Sequence, residues 1–206
     1  MPNALRLFGI TDVEHHAQVK PLDDVELLHF RDVAAVVAPA EYTSGPPTGE
    51  MIEQYRVVVE DIFGKAPILP APVGTVFRSR ETLTRWLELH YITLTEALSF
   101  VEDRAVARVH VGRDNGREGE RETGSDVAAA AAESLRLLRR HAVVAVPLKS
   151  EQITGIVLSS AFLIDRELWE DFVAAVDDQR RRNPGLAMDL SGPWPPFDFV
   201  RMQFGA

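Results

Sequence analysis

Leu190-Ser-Gly-Pro-Trp-Pro-Pro-Phe-Asp-Phe-Val200 packs three prolines, one tryptophan and two phenylalanines into eleven residues. Pro193, Pro195 and Pro196 lack a backbone N–H donor and hold φ at about −65°, so the stretch reads as neither helix nor central strand. A polyproline-like or turn path remains, with the preceding strand ending at Leu190. Such a path presents Trp194, Phe197 and Phe199 at low conformational cost, either to plug the body of the protein or to meet a partner. Pro193 and Pro196 also have PxxP spacing, the pattern of a ligand for an SH3-type groove.

Upstream of this stretch, Leu186–Leu190 reads as a strand, separated by Asn183-Pro184-Gly185 from a helix. Asp165 is placed to cap that helix, whose Leu168, Trp169, Phe172, Val173 and Val176 share one face. Ile156–Ile164 and Ala142–Val146 read as strands, preceded by an Ala-rich helix running to about His141. Gly112 to Asp126 is a charged loop, and Ala105–Val111 a strand. The second half therefore has the order βαββαβ, the ferredoxin-like split arrangement with two helices on one face of a four-stranded antiparallel sheet.

The first half is mixed α+β. Leu5–Ile10 reads as a strand ended by the polar run Thr11 to Gln18, and Leu27–Phe30 and Val33–Val37, separated by Arg31-Asp32, as a hairpin or one bent strand pair. Glu41 to Gly49 is a loop. From Thr48 as N-cap, Met51, Ile52, Tyr55, Val58, Val59 and Ile62 mark a helical face that Gly64 ends. Pro67–Phe77 is extended but too proline-rich for a central strand. Ser79 caps a helix with Leu83, Trp86, Leu87, Tyr91, Leu94, Leu98 and Val101 inward. The fold class expected is α+β in two small domains. Residues 1–102 form a mixed α+β domain with a bridging helix at 79–101, and residues 103–206 a ferredoxin-like domain with a Pro/Trp-rich C-terminal tail.

At 206 residues, 46% hydrophobic and 26% charged, the chain has an ordinary globular composition. A net charge of −9 disfavours a nucleic-acid phosphate backbone as partner. The basic clusters Arg136, Arg139, Arg140 and Arg180–Arg182 fall late in helical segments, where they complement the helix dipole. With no cysteine there is no disulfide, thiolate metal site or cysteine nucleophile. Met1–Arg6 lacks a basic-then-apolar signal pattern, and no apolar run approaches the roughly 20 residues that span a bilayer. A soluble, cytoplasmic protein without membrane partners is expected.

A catalytic constellation is not evident. There is no GxSxG, and Ser159-Ser160 lie inside an apolar strand pattern. Gly64-Lys65 follows a helix and precedes a strand, the reverse of the P-loop order. The glycines at 112, 116, 119 and 124 sit in a loop too charged and too long for a dinucleotide fingerprint. Asp12, Glu14, His15 and His16 are the one compact group of possible metal ligands, without a distant pair to complete the set. His29, His90, His110 and His141 are scattered. Asp23-Asp24 and Asp177-Asp178 are sequence neighbours, which do not face each other across a substrate. No enzyme, cofactor or metal site is expected. The candidate strands Ala105–Val111 and Ile156–Ile164 offer Arg108, His110 and Phe162 but no aromatic pair for RNA.

The Pro-Trp stretch Ser191–Val200 resembles the closing motif of the GvpF/GvpL family of gas vesicle proteins. Leu7–Ile10 and Asp32–Val37 resemble the family's first apolar blocks. Leu69-Pro70 with Gly74-Thr-Val-Phe77 is similar to its Leu-Pro…Phe-Gly-Thr-Val-Phe segment, and Val157–Ile164 to the strand opening its last unit. The chain departs from the pattern at Pro72-Val73 (usually Arg-Phe), at Tyr55-Arg56 (often His-Glu) and at Ala105–Val111, which lacks a Glu-Trp. The resemblance implies a non-catalytic accessory protein, associated with gas vesicles, that binds the hydrophobic shell protein and other accessory proteins and assists nucleation and assembly. An aggregation-prone shell subunit needs its apolar face covered before it polymerises. Gly192, Pro193, Trp194, Pro195, Pro196, Phe197 and Phe199 are the expected partner-binding or tail-anchoring residues. The alternative is a small-ligand-binding regulatory module on the ferredoxin-like half.

Overall fold

The computed structural model describes residues 4–13, 24–42, 45–113, 124–149, 155–200 and 202. In chain order they form β1 (Ala4–Asp12), β2 (Glu26–Phe30), β3 (Val33–Ala40), α1 (Gly49–Phe63), β4 (Ile68–Pro70), β5 (Val76–Phe77) and α2 (Arg80–Val101). There follow β6 (Arg104–Arg113), α3 (Gly124–Leu138), β7 (Val144–Pro147), β8 (Ile156–Asp165), α4 (Trp169–Arg182) and β9 (Leu186–Trp194). The fold is mixed α+β, with two antiparallel sheets and four α-helices among the described residues. The chain divides into two compact units, one of Met1–Glu102 with Pro195–Ala206, the other of Asp103–Trp194. The segment from Pro195 thus groups with the first unit, not with the second domain in which the sequence reading placed it.

In the first unit the strand order is β2-β3-β1-β4, with β5 also on β1. The β2–β3 hairpin turns at Arg31-Asp32, where Arg31 takes φ 54°. β1 and β3 are apolar almost throughout because both faces of the sheet are covered. Leu7 and Ile10 meet Leu83, Leu87, Leu94 and Leu98 of α2. Phe8, pointing the other way, stacks on Tyr55 of α1. β4 and β5 share the remaining edge of β1, Gly9–Thr11 facing Ile68–Pro70 and Leu5–Arg6 facing Val76–Phe77. The prolines between 67 and 72 therefore occupy an edge, where a missing N–H breaks no ladder.

The helix caps follow from side-chain chemistry. Thr48 Oγ1 accepts from the Met51 N–H at 3.3 Å, and Ser79 with Thr82 forms a reciprocal capping box. α1 buries Tyr55, Val58, Val59, Ile62 and Phe63, whereas Ile52, expected inward, is exposed. α2 buries Leu83, Leu87, Leu94, Leu98 and Val101, with Trp86 and Tyr91 at the margin of that core.

The second unit runs β6-α3-β7-β8-α4-β9, and its antiparallel sheet has the order β7-β8-β6-β9. Val127, Ala131 and Leu138 of α3 and Phe172 and Val176 of α4 pack with Ala107, Val109, Val111, Phe162 and Ile164. Two expectations are corrected at the start of α4. Asp165 makes no side-chain cap; its carboxylate accepts from Arg104 Nε at 2.8 Å across the β6–β8 ladder. Leu168 is exposed and lies in a short 3-10 turn, Arg166–Leu168, that precedes the helix.

β9 also corrects the end expected at Leu190: it continues through Ser191, Gly192 and Pro193 to Trp194. β9 is an edge strand, the position in a sheet where a proline is tolerated. A register shift opposite Val106–Arg108 absorbs the irregular backbone, which includes a cis Gly192–Pro193 bond.

Candidate functional site

The expected site residues separate at Trp194. Gly192, Pro193 and Trp194 belong to β9 of the second unit, and Pro195, Pro196, Phe197 and Phe199 to the first. Gly192 takes φ 131°, and a Cβ there would lie 2.6 Å from the Val106 carbonyl oxygen and 2.8 Å from Trp169 Cη2. Only glycine lets the bulged strand approach β6 this closely. Trp194 pairs with Val106 across the ladder, and its indole N–H donates to Ser191 Oγ at 3.1 Å.

From Pro195 the chain coils into a tight turn. The Phe197 N–H donates to the Pro195 carbonyl at 2.7 Å, and those of Phe199 and Val200 to the Pro196 carbonyl at 3.1 and 3.2 Å. Both prolines are buried while Phe197 and Phe199 are half-buried. Phe197 lies 6.3 Å from the Tyr55 ring, which is itself 6.4 Å from Phe8. The Tyr55 hydroxyl donates to the Ala71 carbonyl at 2.5 Å. Burial pushes that phenol well above the usual tyrosine range, because a phenolate would be stranded away from water.

This turn stands between two apolar grooves of the first unit. One, of about 290 Å³, is lined by Trp86, His90, Thr93, Leu94, Ala97, Phe100 and Val101 of α2, by Leu69, and by Phe199, Val200 and Met202. The other, of about 410 Å³, is lined by Tyr55, Pro70, Ala71, Pro72, Val73 and again Phe197, Val200 and Met202. Val200 and Met202 contribute to both walls. Trp86 stiffens the first groove, its ring 5.8 Å from Phe77 and 4.8 Å from His90.

At the hairpin, the Tyr91 hydroxyl donates to the Asp32 carboxylate. That hydrogen bond raises the Tyr91 pKa. The Arg31 guanidinium lies 4.9 Å from the Tyr91 ring centre, and so joins the β2–β3 turn to α2.

The chemistry of the grooves is that of apolar contact, since most of their lining is aliphatic or phenylalanine and no carboxylate, lysine or arginine among the described residues lines either. Among the described residues no group of three or more His, Cys, Asp or Glu could hold a metal. Glu14, His15 and His16 lie outside the described residues. One polar row escaped the sequence reading: Ser159, His110 and Asp189 are cross-strand neighbours on β8, β6 and β9. Ser159 Oγ bonds His110 Nδ1 at 2.8 Å. Ser159 is buried in mid-strand and Asp189 is exposed at the edge, so the row satisfies a polar pair inside a sheet. No helix among the described residues is long and apolar enough to cross a membrane.

Comparison with known proteins agrees with this architecture. The chain is 22% identical over 195 residues to gas vesicle protein F1 of Halobacterium salinarum, covering 89% of this chain and 84% of that protein. It is 25% identical over 185 residues to gas vesicle protein F2 of the same organism, covering 86% and 80%. Its fold matches the crystal structure of GvpF from Anabaena with a TM-score of 0.77 at 16% identity, over 98% of this chain and 100% of that one. GvpF from Microcystis aeruginosa gives 0.75 at 14% identity, over 97% and 100%. The family model described as "Gas vesicle synthesis protein GvpL/GvpF" matches residues 5–123 and 107–201, so this chain belongs to the GvpL/GvpF family.

Proposed function

We propose that this chain is a non-catalytic accessory protein that binds the apolar shell protein of the gas vesicle and assists its nucleation and assembly. Family membership supports a gas vesicle accessory role and interaction with other gas vesicle proteins. The observation that carries the finer reading is the turn Pro195–Val200, which holds Phe197 and Phe199 against two apolar grooves of the first unit. Grooves lined by aromatic and aliphatic side chains suit the apolar face of a subunit kept from polymerising too early. The second unit fits this as a ferredoxin-like scaffold, supported by its element order and the sheet order β7-β8-β6-β9.

The test is co-purification of the full chain with the shell protein. A truncation that ends after Trp194 removes the turn and keeps the whole of β9. Point variants Phe199→Ser and Val200→Asp complement it, and circular dichroism establishes that each variant folds. Retention of the shell protein by the wild type, and its loss in folded variants, is the expected result. Equal retention by all of them removes the grooves from the docking surface. No retention by the wild type removes the shell-protein assignment itself.

A further inference from the structure

The outward face of α2 carries an apolar feature separate from the grooves. Leu89 and Ile92 are 75% and 69% exposed, one helical turn apart. Arg85, Leu89, Ile92 and Glu96 are spaced four, three and four residues apart, so they form one stripe. It lies opposite the buried stripe of Leu83, Leu87, Leu94 and Leu98. This is the spacing with which two helices pack knob into hole. All four side chains are exposed, and neither Arg85 nor Glu96 forms an ion pair among the described residues.

The charge order along the stripe selects the occupant. A cation stands one turn before Leu89 and an anion one turn after Ile92. A second α2 laid antiparallel, centred between Leu89 and Ile92, brings each Leu89 onto the other copy's Ile92. The same register sets each Arg85 against the other copy's Glu96. A parallel pair would instead oppose Arg85 to Arg85 and Glu96 to Glu96. Self-complementarity under a two-fold rotation is what an isologous contact requires. Antiparallel alignment also opposes the two helix dipoles favourably. We propose that α2 pairs with α2 of a second copy of this chain through Arg85, Leu89, Ile92 and Glu96, as an antiparallel two-fold dimer. A contact of about three turns per side falls in the small, reversible class below about 1,200 Å², so dimer forms with rising concentration.

Sedimentation velocity of the full chain across a concentration series tests this. The wild type should shift toward dimer as concentration rises. Arg85→Glu and Glu96→Arg each place two like-charge pairs in the contact and should weaken dimerisation at least about tenfold, whereas the double reversal R85E/E96R should restore it to within about threefold. Unchanged melting temperatures show that these exposed substitutions leave the fold intact. The chain has no cysteine, so register is read by oxidising single-cysteine proteins. Leu89→Cys mixed with Ile92→Cys should cross-link faster than either alone. A wild type that stays monomeric throughout overturns the proposal, as do single reversals that dimerise like the wild type, or cysteines that cross-link only to their own kind. Loss of shell-protein retention in the single reversals of a monomeric chain assigns the stripe to that partner instead and equally overturns it.

Discussion

The ring of Phe197 lies 6.3 Å from that of Tyr55, tilted by 40°, and so ties the segment after β9 to the α1 face of the first unit. Replacing Phe197 by alanine removes this contact and part of a groove wall. Because Phe197 is half-buried, the loss should be about 1–2 kcal/mol, below that of a fully buried aromatic. Urea denaturation measures it, and no loss would show that the ring does not anchor the segment.

Tyr55 makes stability depend on alkaline pH. Its folded-state pKa is raised by burial, so the neutral phenol is favoured in the fold. The sign follows directly: stability is complete below the unfolded phenol pKa of about 10 and falls as pH rises above it, because only the unfolded chain ionises readily. Melting temperature should drop over that range, and the drop should be shallower in Tyr55→Phe. At neutral pH that variant should lose about 1 kcal/mol, since the Ala71 carbonyl loses its donor.

Gly192→Ala should be among the most destabilising changes in the second unit. Its Cβ would meet the Val106 carbonyl oxygen at 2.6 Å, at a φ of 131° that L side chains rarely adopt. Strain and displacement of the end of β9 together should cost about 2–4 kcal/mol in chemical denaturation. A neutral result would mean that the β6–β9 bulge relaxes freely.

Ser79→Ala removes the hydroxyl that accepts from the Thr82 N–H at 3.3 Å. The reciprocal bond from the Ser79 N–H to Thr82 Oγ1, at 3.1 Å, can persist. Loss of the cap should cost about 1 kcal/mol, and Ser79→Asp should recover most of it. Thermal melting of the three proteins decides the point.

Much of this protein could be read from local chemistry. Period-two and period-3.6 apolar patterns located β1, the β2–β3 hairpin, α2, β6 and β8, because burying one face imposes a repeat that survives in the sequence. Thr48 and Ser79 could be read as caps because their hydroxyls satisfy N–H groups within one turn. Asp165 misled for the same reason in reverse: a cap is a local option, and the distant Arg104 offered its carboxylate a stronger, charge-assisted bond. Among the groove residues, Phe197 and Phe199 stood out as aromatics in a proline-rich segment, whereas Tyr55 and Trp86 looked like ordinary helix-core positions.

The sequence by itself determined where most of the helices and strands lie, where α1 and α2 begin, and that the proline-rich stretches avoid helices and central strands. Each of these depends on a residue's own φ range, its own donors and the repeat of its near neighbours. Only the tertiary structure decided that β9 runs on through Pro193, that the segment from Pro195 belongs with the first unit, and that Val200 and Met202 border two grooves. Those outcomes depend on which strand lies at an edge and which apolar surface is left uncovered by residues more than a hundred positions away. Long-range burial, which no local pattern encodes, settles them.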